Sequence, residues 1–287
     1  MYYLPTDNFK KTERKVVELI LQLAPVEKLY LLGPKFFQQR TENIFMLTKP
    51  TSSHTGHCWL LVLVKNTNKS NAYWQDKIES SCQTVMPITA IVFNISTFIN
   101  WLRNGHRFAM AVWKIAVLLY DSNDTQLDKV ICEQKMVEEI CSTQYVKTAN
   151  EFIVGAEFYF QRQQNGMSAF MLHQATENAL HGVLKESTGL HINTHNLDKL
   201  IRYCSMTTYR INDILPRNNE IDRRLFKLLQ NAYIDARYKK NDSIMNDELV
   251  ILLNRVKTLC QMVTFHLAPY RKIKHNSIIA EHLATTC

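Results

Sequence analysis

His173, Glu177 and His181 are residue types used in acid–base and metal chemistry, and they stand at successive four-residue steps in AFMLHQATENALHGVL, residues 169–184. Helix formers fill the stretch and no Gly or Pro interrupts it before Gly182. On a helix the three side chains therefore share one face. A di-metal bundle site asks for more: a Glu followed three residues on by a His, on each of two facing helices, with further carboxylates. That pattern is absent, and the stretch 219–238 offers Glu220, Asp222 and Asp235 but no His. The expectation is no bound metal, with the three polar residues flanking an apolar stripe of Leu172, Ala175, Ala179 and Val183.

Other chemistries are tested in the same way. Cys58 lies near His54 and His57 in SSHTGHC, but the segment reads as a polar loop entering a strand and lacks a fourth metal ligand. The seven cysteines, at 58, 82, 132, 141, 204, 260 and 287, include no pair at two-residue spacing and read as reduced, mostly buried thiols. Seven scattered glycines form no phosphate loop. Neither a catalytic residue nor a cofactor is expected from these motifs.

The elements that must position the candidates come next. With 287 residues, 46% of them apolar, the chain can supply cores for two domains. The net charge of +8 divides about evenly on either side of residue 150, an excess that favours nucleotides, RNA or other anions without forming a basic tail. No N-terminal stretch resembles a signal peptide, and no apolar run approaches the roughly 18–20 residues that span a bilayer. A cytoplasmic protein without membrane contact is expected.

Residues 8–24 read as a helix ended by Pro25. KLYLLG (28–33), HCWLLVLV (57–64), ITAIVFNI (88–95) and KIAVLLY (114–120) read as strands, with helices at 73–83 and from STFINWL, the latter opened by a Ser cap. After the polar turn at 121–124 the periodicity becomes helical. One long helix or two nearly continuous ones cover 126–164, ended by Asn165-Gly166 as a left-handed cap. The next is capped by Ser168, runs to about Ser187 and ends before Gly189, with others at 196–206, 219–238 and 246–267. The fold class is α+β in two domains: an α/β domain at 1–124, with a mixed sheet and flanking helices, then an all-α antiparallel helical bundle at 125–287.

Three separated strings in the bundle carry a resemblance: Gln174, Ala175, Glu177 and Leu180; then Thr194, His195, Asn196 and Leu197; then Arg237 and Tyr238. In this order they resemble the HEPN family (higher eukaryotes and prokaryotes nucleotide-binding), over about residues 127–270. The resemblance implies nucleotide or RNA binding and a homodimer, with Glu177, His181, Arg237, Tyr238 and Lys239 as ligand-binding residues. Arg237 would hold a phosphate, Tyr238 would stack on a base and Lys239 would add positive field. His195 would cap or pin the start of its helix. Many HEPN proteins are ribonucleases with an Arg followed after four to six residues by a His; no Arg of this chain has a His at that spacing.

HEPN domains often follow a minimal nucleotidyltransferase domain, and the order of elements in residues 1–124 resembles one. KLYLLGP stands where that fold begins, and HCWLLVLVK where it places an Asp-x-Asp. Nucleotidyl transfer needs those carboxylates to hold two metal ions. Here Cys58 and Trp59 occupy the region, and no Asp or Glu lies between Glu42 and Asp76. The expectation is a non-catalytic nucleotide- or RNA-binding HEPN protein with an inactive nucleotidyltransferase-like domain, a pseudoenzyme. The alternatives are a protein-interaction module of the toxin–antitoxin type, with a protein partner, and a ribonuclease with an atypical site.

Overall fold

Seven consecutive residues, Cys58 to Val64, are buried along one strand, and a strand buried on both faces must have a layer on each side. The computed structural model describes residues 7–41, 51–127, 144–238 and 244–285. In its first unit, residues 1–138, that strand lies inside a four-stranded mixed sheet of order β3-β2-β1-β4. β1 (Val26–Thr41) and β2 (Thr51–Val64) pair antiparallel, β3 (Ile88–Asn94) runs parallel to β2, and β4 (Val117–Asp121) runs antiparallel to β1.

Alternation along the strands sends Leu60, Val62, Ala90 and Val92 to one face, where they share a core with Val16 and Ile20 of α1 (Asp7–Leu23) and Ile78 of α2 (Asn71–Cys82). Tyr30, next to core residue Leu29 and so on the other face, meets Phe98 of α3 (Ile95–Arg103) at 6.3 Å between ring centroids. The two strands expected at 28–33 and 57–64 are the inner ends of much longer hairpin arms. The outer pairing, Pro34 with Cys58 through Thr41 with Thr51, is held by a backbone ladder, which residues of mixed character such as PKFFQQRT do not announce.

Two local readings change. α3 begins after Asn94, which makes no side-chain cap bond, while Ser96 lies within the helix and donates its hydroxyl to Asn66 Oδ1. Lys114 and Ile115, read as the start of a strand, close α4 (Arg107–Ile115). Its buried Phe108, Ala109, Met110 and Val112 supply a helical face that the short window hid.

The second unit, residues 139–287, is helical. α5 (Gln144–Gln161) packs on α6 (Asn165–Thr188), which also meets α7 (Leu197–Cys204), α9 (Glu220–Tyr238) and α10 (Asn246–Thr285); α8 (Arg210–Ile214) is a single short turn. Asn165-Gly166 opens α6 instead of closing α5, and the left-handed residue between the helices is Gln163, with φ of 58°. Ser168 is no cap: its buried hydroxyl donates to the Ala156 carbonyl at 2.7 Å, tying α6 to α5. α6 does end at the expected glycine, Gly189, with φ of 82°. Helix α10 continues past the expected end at residue 267. Among the described residues, no helix is long and apolar enough to cross a membrane.

Candidate functional site

α6 is the central helix of its unit. Leu172, Ala175, Ala179 and Val183 are all buried, as the stripe required, but so are His173, Thr176, Glu177, His181 and Glu186. Buried polar groups need partners. Thr176 returns its hydroxyl to the Leu172 carbonyl at 2.8 Å, whereas Glu177 gathers imidazoles.

His195, just before the N-cap of α7, donates Nδ1–H to Glu177 at 3.0 Å from Oε1 and 3.1 Å from Oε2. On α6 itself, His173 Nε2 stands 3.4 Å from Oε2 and His181 Nε2 3.9 Å from Oε1. The His173 Nδ1 faces the Leu229 carbonyl of α9 at 3.0 Å. A carbonyl only accepts, so Nδ1 carries the proton and Nε2 is the edge turned to Glu177. Burial pushes the Glu177 carboxyl up, but the facing His173 and His195 rings, the latter through its Nδ1–H, outweigh burial and hold the group below the ordinary carboxylate range. His181 is held below the ordinary imidazole range, first by burial, against the opposing pull of Glu177.

Aromatic rings frame this cluster. Tyr233 of α9 stacks on His195, with centroids 4.7 Å apart and planes at 16°, and lies 5.5 Å from His173. Tyr145 of α5 stacks over His181 at 6.3 Å. Gly182 permits that approach, since a Cβ there would sit 3.1 Å from the Tyr145 Cβ. His195 is thus fixed at Nδ1 and over one ring face, yet its side chain is 53% exposed. Asn196 caps α7 by accepting from the Lys199 amide at 3.0 Å, while Gln230 of α9 accepts from the Leu197 amide at 2.8 Å.

The structure therefore brings together Glu177 and His181 of the sequence-predicted set. Arg237 and Tyr238 fall in the last turn of α9, and Lys239 just beyond it; those three side chains lie outside the described residues. His195 does pin the start of its helix, though through Glu177 instead of as the cap. Sequence reasoning missed Tyr233, one turn before Arg237, and His191, whose ring lies 5.5 Å from that of His181. Among the described residues, no group of three or more His, Cys, Asp and Glu side chains is arranged to hold a metal ion.

In the α/β unit the Cys58–His57 pairing dissolves for a simple reason. Cys58 points into the α1–α2 core, and its thiol is pushed up to about 12, chiefly by burial. His57, one residue away on the opposite face, stands 3.0 Å from the Thr89 hydroxyl and 4.8 Å from the Trp59 ring centroid.

Residues 142–266 match the HEPN domain family. The helical unit is a HEPN domain. Its match spans α5 through most of the described α10 side chains, so the Glu177 cluster lies wholly within the HEPN domain. No curated protein matches the chain. Among solved structures, a nucleotidyltransferase-like protein from Exiguobacterium sibiricum 255-15 aligns over 91% of this chain and 78% of its own, at 9% identity and a TM-score of 0.29.

Proposed function

We propose that this protein binds a nucleotide or RNA through its HEPN domain and performs no nucleotidyl transfer, acting as a cytoplasmic homodimer. The supporting observation is His195: an exposed imidazole held by Glu177 and by the face of Tyr233. Tyr233 precedes Arg237, Tyr238 and Lys239 by one helical turn and a little more. An imidazole, a guanidinium, an ammonium and a phenol ring are the groups that grip phosphate and stack on bases. Fluorescence anisotropy of a labelled RNA oligonucleotide tests this reading. His195→Ala and Arg237→Ala each weaken binding at least about tenfold, equivalent to ~1.4 kcal/mol; unchanged affinity in both variants rejects it.

The α/β unit is assigned as a nucleotidyltransferase-like domain without its chemistry. Gly33 pairs across the sheet with Trp59, and His57, Trp59 and Thr89 occupy the strand positions where carboxylates would have to converge. An imidazole, an indole and a hydroxyl do not make an oxygen cage for magnesium. Incubation with magnesium and each nucleoside triphosphate leaves no nucleotidylated product under this reading.

One observation favours a second reading, a ribonuclease with an atypical site. A buried carboxylate on Nδ1 of an exposed imidazole leaves Nε2 as the working edge of a general base. His195 Nε2 would take the proton from a ribose 2′-hydroxyl as that oxygen attacks the adjacent phosphorus, and would return it to the departing 5′-oxygen. Cleavage of labelled RNA by the wild type, lost in His195→Asn, decides for it.

A further inference from the structure

The connection between α6 and α7, residues 189–196, has no regular secondary structure. Buried Leu190 and Leu197 anchor its two ends. Between them the connection meets α6 at two places only a turn apart: His195 on Glu177, and His191 and the Thr194 backbone beside His181. The His191 ring lies 5.5 Å from that of His181. Three imidazoles, those of His173, His181 and His195, therefore surround a single carboxylate, and a fourth, His191, adjoins one of them.

We propose that this cluster is an acid-sensitive latch, which holds the 189–196 connection against α6 at neutral pH and releases it when the imidazoles become charged. The latch stands on this geometry alone. Its consequence for the ligand rests on the reading of His195 as a binding residue.

The reason is charge balance. One imidazolium beside Glu177 completes an ion pair; each further one must share that single carboxylate with another cation, and His173 and His181 must do so while buried. The groups packed against the cluster from neighbouring elements do not correct this. Tyr145 of α5 faces His181, and Tyr233 of α9 faces His195 and His173, contributing ring faces and no carboxylate. Burial already holds His181 below the ordinary imidazole range, so the closed form resists a proton that the released form accepts. Release therefore begins as pH falls through about 6.5, the unperturbed imidazole value. Glu177, held below the carboxylate range, gives up its bonds only further into acid.

Hydrogen exchange of the full chain, followed by mass spectrometry at about pH 7.5 and 5.5 with times scaled for intrinsic rates, reads the latch directly. Peptides covering 189–196 are expected to lose at least about tenfold in protection in acid, while β2 peptides keep theirs. His181→Gln, and the exposed variant His191→Gln should the first fail to fold, removes a titrating ring and blunts the loss. Equal protection at both pH values, or an acid response unaltered in the variants, overturns the proposal. Anisotropy with a labelled RNA oligonucleotide at the same two pH values separates the two ideas. Weaker binding in acid that follows the loss of protection links latch and ligand. Unchanged affinity alongside lost protection keeps the latch and rejects His195 as the RNA contact.

Discussion

The two units place their buried polarity differently. At the centre of the α/β sheet, Cys58 through Val64 are buried and carry no charge, and among the described residues the buried charges of that unit, Glu27 and Lys28, stand at the start of β1, where Lys28 pairs with Asp121 of β4 at 2.6 Å. At the centre of the HEPN domain, α6 buries two histidines and a glutamate along one face and ends that face at an exposed imidazole. A buried carboxylate is costly unless its lone pairs are occupied. The second unit keeps such a carboxylate with three imidazoles around it in the middle of its central helix, whereas the sheet confines its buried charge to one end of β1. The proposed function rests on that difference, with binding in the second unit.

The largest effect is expected from cutting into the sheet. Leu61→Ala empties a fully buried position and should cost about 2–5 kcal/mol in urea denaturation, with no change in RNA affinity per folded molecule. A smaller loss, about 1–3 kcal/mol, is expected for Glu177→Gln, which deprives the imidazoles of their anion; unlike the sheet variant it should also abolish RNA binding. Equal functional behaviour of the two variants would erase the contrast between the units.

Acid comes next. His181 is held below the ordinary imidazole range by burial, so an unfolded chain takes up a proton near pH 6.5 that the folded chain refuses, and stability falls as pH drops below that value. Glu177 acts in the same direction further down, since its carboxyl is held below the usual range and its contribution disappears as pH falls through that lowered value. His266 of α10, also held down by burial, adds to the slope with the same sign. His181→Gln should therefore flatten the melting-temperature profile between about pH 7 and 5 without levelling it. The smallest stability change, within about 1 kcal/mol, belongs to His195→Asn, because that side chain is half exposed. Its effect should appear in RNA binding instead of in the melting curve.

Much of this was legible in the sequence because it follows short-range rules. The apolar runs at 57–64 and 88–95, the stripe on α6 and the terminating Gly189 each declare themselves within a few residues. The hairpin arms escaped because the ladder joining residues 34–41 to 51–58 is a backbone pairing that carries no sequence pattern of its own. α4 escaped because its last residues adjoin β4 and share its apolar character. For the site, the four-residue spacing of His173, Glu177 and His181 was correctly read as one face, but burial was not, since a polar flank and a buried cluster have the same periodicity. The role of His195 depends on Glu177, 18 residues before it, and on Tyr233, 38 residues after it, and no window along the chain joins the three.

Gly182 has a consequence of its own. Because position 182 stops at the α-carbon, Tyr145 settles directly above His181. The clearance between two helices is there measured in single atoms, and an added methyl group would act as a shim. Gly182→Ala would thus widen the gap over the imidazole and admit solvent without altering any group that ionises.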